Sequence, residues 1–281
     1  MFGDVFESIK KYRQHYRNWL SVVYHVLRND SHIKIKMRSG YVGEVRFSYA
    51  VSIPKYSGIE DLEKVLETLE NEEVNYNGNR ILLKGVRNYG DPFSVYYQEV
   101  YRFLRPKGRT VVDIGASIGD SAIYFVLNGA DRVIAYEPFP KLYYFASSNI
   151  KANGLSEKIK LLNAGYGKDS EIKVDESSEE GIGDQVEASR RGENVRLYSL
   201  RKIIEENHLN DAVLKMDCEG CEYGLLDEEC SVLSKFNRIA MEYHRGPEKI
   251  IDKLRGCGFV VYIREETRNR QMGMIYAERV Q

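Results

Sequence analysis

From Thr110 onward, short apolar runs alternate with amphipathic helical stretches, and this alternation restricts the possible architecture more than any other feature of the chain. The runs Thr110–Ile114, Arg132–Tyr136, Lys158–Asn163, Ala212–Met216 and Arg238–Met241 are short and largely lack the apolar–polar alternation of a half-exposed strand. Strands of that kind belong in a parallel sheet with helices on both faces. The segments Gly119–Leu127, Lys141–Ala152, Leu200–Asn207, Glu222–Leu233 and Pro247–Arg255 carry helical periodicity and would supply that cover. The final pair, Phe259–Ile263 and Met274–Glu278, is joined by only Arg264–Gly273. A parallel crossover needs a dozen or more residues, so this pair is predicted to run antiparallel. The fold class is therefore α/β: seven strands, mostly parallel, with the last antiparallel. Lys168–Asn194, polar and rich in glycine, is the long connection, with a hairpin predicted through Glu171–Val174.

The sequence before this region has a different character, and residues 1–88 are predicted to form an α+β extension to a main domain of residues 89–281. Val5, Phe6, Ile9, Tyr12, Tyr16, Leu20, Val23 and Leu27 recur every three to four positions, as on one long amphipathic helix. Ile33, Ile35 and Met37 alternate with polar residues, as do Val45, Phe47, Tyr49, Val51 and Ile53, giving a hairpin that turns at Gly40–Gly43. Ile59, Leu62, Val65, Leu66 and Leu69 predict a second helix, Asn75–Asn79 a break, and Ile81–Leu83 a short strand. Such an extension would either cover a substrate site or brace the core and a homodimer interface.

Composition narrows the function classes. With 41 basic and 42 acidic residues and a net charge of −1, the chain has no global field to attract a polyanion, which makes nucleic acid an unlikely partner. No apolar run reaches the roughly 18–20 residues of a bilayer span, and Met1–Lys11 lacks the form of a signal peptide, so a soluble, cytoplasmic protein is predicted. The 30% charged content and 21 tyrosines fit a thermophile. Cys218, Cys221, Cys230 and Cys257 are too few and too unevenly spaced for a disulfide scaffold. Cys218-x-x-Cys221 has no second pair to complete a zinc site and no thioredoxin-like context, so these cysteines are predicted to be ordinary small residues beside a strand end.

Val111-Val112-Asp113-Ile114-Gly115-Ala116-Ser117-Ile118-Gly119 is a buried strand that delivers a turn of small residues into a helix. Gly115 permits a sharp turn and close approach of a ligand. Gly119 permits close packing where the helix N–H groups face the crevice. Asp113 is a charge at the end of an apolar strand, and burial demands that it be compensated. Either a cationic ligand group, such as the α-amino group of a methionine moiety, or the backbone amides of its own turn would do so. Glu137 ends the next strand, where a carboxylate can accept both ribose hydroxyls of an adenosine, unless it merely caps or faces solvent. A dinucleotide site needs a glycine at the middle of the turn to clear the pyrophosphate, and Ser117 stands there instead. S-adenosyl-L-methionine has no phosphate and carries an ammonium that Asp113 would welcome.

Val112–Gly119, followed by Glu137-Pro138, Leu214-Lys215-Met216-Asp217-Cys218-Glu219-Gly220-Cys221-Glu222 and Met241-Glu242-Tyr243-His244, resembles the FkbM-type methyltransferases from about Glu99 to the end. The resemblance implies the Rossmann-like seven-stranded methyltransferase sheet, S-adenosyl-L-methionine as donor, and transfer to a hydroxyl of a sugar, glycolipid or other small metabolite. Ser117 replaces the more usual Asn, and Cys218 and Cys221 replace small apolar residues. The predicted donor site comprises Asp113, Gly115, Ala116, Ser117, Gly119, Glu137, Pro138 and Asp217, with Asn163 and Ala164 bordering the adenine.

Methyl transfer needs alignment of the acceptor and, for a hydroxyl, removal of a proton. Asp217 and Glu219 follow one central strand and Glu242 and His244 the next, beyond the carboxyl ends where acceptors bind in open α/β sheets. Asp217, Glu219 and His244 are the candidate catalytic residues, serving general-base chemistry or, as an alternative, a divalent metal. Each has a structural alternative: Glu219 as a helix cap, Glu222 bonded to backbone or Lys215, His244 as a solvated loop residue. The aromatic stretch Tyr89–Glu99 suits a sulfonium or sugar face, or simply packs a helix on the sheet. An RNA methyltransferase and a donor-binding module without catalysis are the competing functions. Asp217-Cys218-Glu219-Gly220 lacks the Asn-Pro-Pro-Tyr or Asp-Pro-Pro-Tyr pattern of amino-directed enzymes.

Overall fold

A computed structural model describes residues 2–28, 30–38, 40–46, 50, 72–86, 91–174, 192–265 and 271–279. The chain divides into two compact units, Met1–Ile81 and Leu82–Gln281.

In the first unit the predicted long helix is two helices, α1 (Phe2–His15) and α2 (Trp19–Leu27). The break is set by contacts outside the helix. Tyr16 is fully buried and bridges to Met37, while the Asn18 amide donates to the Lys34 carbonyl at 2.8 Å and its oxygen accepts from Lys36 N–H at 2.7 Å. These bonds give the backbone an alternative to the next helical turn. The hairpin β1 (His32–Lys36) and β2 (Val42–Arg46) buries Ile33, Ile35 and Val45, and Met37 beyond β1 is buried with them. Phe47, Tyr49, Val51 and Ile53 of its second predicted strand, and the helix predicted through Ile59–Leu69, lie outside the described residues. The predicted break at Asn75–Asn79 is itself a hairpin: β3 (Glu73–Tyr76) turns at Asn77–Gly78 into β4 (Asn79–Leu82). Asn77 (φ 48°) and Gly78 (φ 77°) supply the positive φ angles of a tight hairpin turn.

The second unit is organised by seven strands. Its elements run β5 (Thr110–Ile114), α3 (Asp120–Leu127), β6 (Arg132–Tyr136), α4 (Pro140–Ala152), β7 (Ile159–Leu162), β8 (Ala164–Tyr166), β9 (Ser170–Val174), β10 (Glu193–Tyr198), α5 (Leu200–Asn207), β11 (Ala212–Met216), α6 (Cys230–Leu233), β12 (Phe236–Tyr243), α7 (Glu248–Gly256), β13 (Phe259–Glu265) and β14 (Gly273–Arg279). The main sheet has the order β13-β14-β12-β11-β5-β6-β7. Every pairing from β12 to β7 is parallel, and β14 runs antiparallel to both β12 and β13. This is the predicted seven-stranded, mostly parallel Rossmann-like sheet. The chain moves one way from β5 to β6 and β7, then returns to β11 and β12 on the other side, so the order reverses between β5 and β11. A crevice at the carboxyl ends of these strands is the expected ligand site. Val112, Ile114, Leu214, Met216, Ile239 and Met241 of the sheet join Ile203, Leu233 and Ile250 of the helices in one core cluster.

Beside β7, β8, β10 and β9 form a small separate sheet. The strand predicted at Glu171–Val174 is thus present, paired antiparallel with β10, while residues 175–191 lie outside the described part.

Two further predictions are corrected in this unit. The helix predicted at Glu222–Leu233 is a 3-10 run, Cys221–Asp227, followed by the short α6. Glu228 and Glu229 are extended between them, and Glu228 is held there by Tyr166 OH at 3.0 Å and by the N–H of Leu200. The cysteines are not free thiols: Cys218 pairs with Cys221, and Cys230 with Cys257. Cys230 opens α6 and Cys257 follows α7, and packing brings their Cα atoms to 5.0 Å, within disulfide range. Spacing along the chain does not reveal that proximity.

Candidate active site

β5 and β11 each carry one charged residue among apolar ones, Asp113 and Lys215, and the two are direct register partners. Lys215 Nζ lies 3.1 Å from Asp113, with side-chain exposures of 3% and 0%. Ser121 donates to the other Asp113 oxygen at 2.7 Å, and Lys215 also donates to the Gly115 carbonyl. Burial opposes the Lys215 ammonium, but Asp113, Asp217 and Asp120 outweigh it and hold its pKa above the ordinary lysine value. The charge of Asp113 is therefore met by Lys215 and Ser121 rather than by the backbone amides of its own turn, and Asp113 is not among the residues lining the cleft.

At the end of β5 the backbone turns through two left-handed residues, Gly115 (φ 79°) and Ser117 (φ 49°), and Gly119 (φ 85°) precedes α3. A Cβ at Gly115 would stand 1.8 Å from the carbonyl oxygen of Asp217, so the close approach there is made by the facing loop. A Cβ at Gly119 would press on Ala146 of α4 at 3.2–3.3 Å. The Gly115 and Ala116 N–H groups both donate to the Tyr136 carbonyl, tying the turn to β6.

Together these loops enclose a cleft of about 490 Å³ at the reversal point of the sheet. On one side it is lined by Gly115, Ser117, Asp120, Glu137 and Pro138, on the other by Asp217, Glu219, Gly220 and Glu242, with the Cys218–Cys221 disulfide in the same wall. Glu137 accepts from Ser117 N–H at 2.7 Å and Phe139 N–H at 2.9 Å. Burial nevertheless pushes its carboxyl up to about 8, against the pull of those two donors. Burial likewise lifts Asp120 to about 6. The Ser117 hydroxyl is buried with no hydrogen-bond partner and belongs to a residue lining the cleft.

The other predicted residues stand behind the wall. Ala116 and Gly119 are buried away from the cleft. Asn163 donates to the Glu137 and Pro138 carbonyls and so shapes their loop, and its neighbour Ala164 is buried; Gly165 and Tyr166 are the residues that reach the cleft there. His244 also lies outside the lining. Its Nδ1 is 3.0 Å from Glu222, a fully buried carboxylate that also accepts from Gly220 N–H at 2.8 Å. Since a carboxylate only accepts, Nδ1 carries the hydrogen. Nε2 stands 3.1 Å from Glu219 and 3.9 Å from Glu242. Burial disfavours the imidazolium, but the Glu222 hydrogen bond and the charges of Glu219, Glu222 and Asp217 prevail and raise its pKa.

Tyr101, Lys215 and Asp120 escaped the sequence reading as site residues. Tyr101 is buried, lines the cleft and donates to Asp217 at 3.1 Å, and the Lys215 ammonium lies 5.7 Å from its ring centroid. Nothing in the local sequence separates Tyr101 from the tyrosines of the neighbouring stretch Tyr89–Glu99. Within that stretch, Tyr96 packs on Tyr124 of α3 and donates to the Asp120 carbonyl at 2.7 Å, while Asp91 and Ser94 reach the cleft. The Asp113–Lys215 pair did leave a signal: each charge is the penultimate residue of its strand.

Sheet order, closing antiparallel strand and cleft define a Rossmann-like methyltransferase. The chain belongs to the family of the methyltransferase FkbM domain, whose model matches residues 113–261. It is also 28% identical over 176 residues to the uncharacterized protein 158B of Sulfolobus islandicus rod-shaped virus 1, covering 60% of this chain and 85% of that one. Similar solved structures include precorrin-6y C5,15-methyltransferase from Geobacter metallireducens, with 15% identity, a TM-score of 0.41, and coverage of 65% of this chain and 87% of that one. TrmK of M. capricolum, solved with S-adenosyl-homocysteine, has 10% identity, a TM-score of 0.42, and coverage of 64% and 67%.

Proposed function

We propose that the protein is an O-methyltransferase that moves a methyl group from S-adenosyl-L-methionine to a hydroxyl of a sugar, glycolipid or similar small acceptor. The observation that carries this reading is one cleft, at the reversal point of the sheet, walled by a turn suited to a nucleoside on one side and by carboxylates on the other. The donor fits the residues present: Glu137 is a buried carboxylate for the ribose hydroxyls, and the unpartnered Ser117 hydroxyl offers a further polar contact. With Asp113 neutralised by Lys215, Asp120, the buried carboxylate that does line the cleft, is the group to meet the methionine ammonium. Bound there, S-adenosyl-L-methionine supplies a methyl group on a sulfonium that an acceptor oxygen displaces in line.

Asp217 and Glu219 then face the acceptor. Tyr101 steadies the Asp217 carboxylate, and Glu219 takes the hydroxyl proton, with the His244 ring, oriented by Glu222, beside it. The lining opposes RNA: six carboxylates (Asp91, Asp120, Glu137, Asp217, Glu219, Glu242) face the cleft against two cations, Lys215 and Arg245, and Lys215 is already paired. A phosphodiester would meet net repulsion there.

The test combines donor binding with an acceptor screen. Calorimetry should show binding of S-adenosyl-L-methionine that Glu137→Ala and Asp120→Ala each weaken at least tenfold in folded protein. Labelled donor should then methylate members of a panel of sugars, glycolipids and hydroxylated metabolites. Label transferred to RNA instead, or donor binding indifferent to both substitutions, would overturn the reading.

A further inference from the structure

We propose that Asp217, Glu242 and His244 hold a divalent metal ion on the acceptor side of the cleft, leaving coordination positions for two neighbouring oxygens of a polyhydroxylated acceptor. The site stands on geometry alone, whereas its role toward the acceptor rests on the methyltransferase reading above.

The three side chains come from the ends of adjacent parallel strands, β11 and β12, which fixes their spacing. One ligand atom from each lies within 4.8 Å of the others. Ligands 2.0–2.2 Å from one ion stand roughly 3–4 Å apart, so modest side-chain rotation completes the set. His244 supplies a second, independent indication. Its Nε2 is buried without a directed hydrogen bond, and it faces the carboxylates of Glu219 and Glu242. Its Nδ1–H is committed to Glu222, so the ring is oriented and the remaining nitrogen is the one available to a metal. A buried carboxylate behind a histidine is the usual support of a metal-bound imidazole. Charge agrees: Asp217, Glu219 and Glu242 crowd this end of the cleft with Arg245 as the nearby lining cation.

Two carboxylate oxygens and one imidazole nitrogen suit a hard to borderline ion such as Mn²⁺, and three protein ligands leave half of an octahedron open. A hydroxyl bound there becomes more acidic and is held toward the donor. Its proton passes to Glu219, its oxygen forms the new O–CH₃ bond, and the broken C–S bond leaves its electron pair on sulfur as a neutral thioether.

The test is a Mn²⁺ titration of the full chain, first stripped with chelator, followed by electron paramagnetic resonance. One Mn²⁺ should bind per chain. Glu242→Gln and His244→Ala should each weaken binding at least tenfold, and Glu222→Gln about tenfold through loss of imidazole support. Asp252→Asn, on the exposed side of α7, should change nothing. Circular dichroism establishes that each variant is folded, and the near-isosteric Asp217→Asn stands in for any that is not. No bound Mn²⁺ up to about 1 mM, or binding unaffected by Glu242→Gln and Asp217→Asn, would refute the site. Donor calorimetry on the same samples separates the two claims: donor binding without Mn²⁺ refutes the metal alone, and Mn²⁺ binding without donor refutes the methyltransferase reading alone.

Discussion

The turn after β5 and the loops after β11 and β12 face each other across one cleft, yet they are held in different ways. The first is held mainly by backbone: glycines at positive φ, paired N–H groups, and a chain that leaves no room for a Cβ. The second is held mainly by side chains, Glu222 to His244 and to the Gly220 N–H, Tyr101 to Asp217, and by the Cys218–Cys221 bridge. The comparison teaches that the turn after β5 tolerates few changes of residue type, while the loops after β11 and β12 can be re-specified one side chain at a time. On the proposed function, that is the division required of a fold that keeps one donor and varies its acceptor.

The sharpest way to break this contrast is Gly115→Ala. With a left-handed backbone and the Asp217 carbonyl 1.8 Å from the added Cβ, it should cost more than about 4 kcal/mol or prevent folding, as read by urea unfolding. Next comes the tie between the walls. Lys215→Met strands a buried Asp113 and should cost roughly 3–5 kcal/mol, whereas the double variant Asp113→Asn, Lys215→Met should recover at least half of that. Full additivity of the two losses would show that the pair does not act as a unit.

A smaller effect should appear in pH. Glu137 titrates near 8 in the folded protein against 4.5 as its ordinary value, so donor-free stability should fall as pH rises from about 4.5 to 8. Ribose hydroxyls favour its carboxylate form, so donor affinity should change the opposite way. It should weaken by up to about tenfold per pH unit below 8, level off above, and release a proton on binding. A flat affinity profile between pH 6 and 8 would remove Glu137 from the donor site. Least of all, Ser117→Gly should relieve the left-handed serine and raise donor-free stability by up to about 1 kcal/mol in thermal melts.

Much of the turn after β5 and of the main sheet was legible because it depends on residue types with strong backbone preferences and on strands long enough to count. The short Arg264–Gly273 connection alone was enough to predict the antiparallel closing pair, and the structure has it. The α1–α2 break and the 3-10 run Cys221–Asp227 were not legible, because Asn18 and Glu228 act through partners sixteen or more residues away. The Cys230–Cys257 disulfide was missed for the same reason: a 27-residue separation carries no hint of adjacency.

By itself the sequence determined the strand–helix order, the glycine turn and the family, because local periodicity and backbone sterics are properties of neighbouring residues. Only the tertiary structure decided which charge neutralises which. Asp113 was a plausible ammonium partner until Lys215 was found beside it, and His244 a plausible solvated loop residue until the buried Glu222 carboxylate was found on its Nδ1. Electrostatic roles are set by distance and burial, and in a parallel sheet the nearest charge sits one strand across and a hundred residues away in sequence.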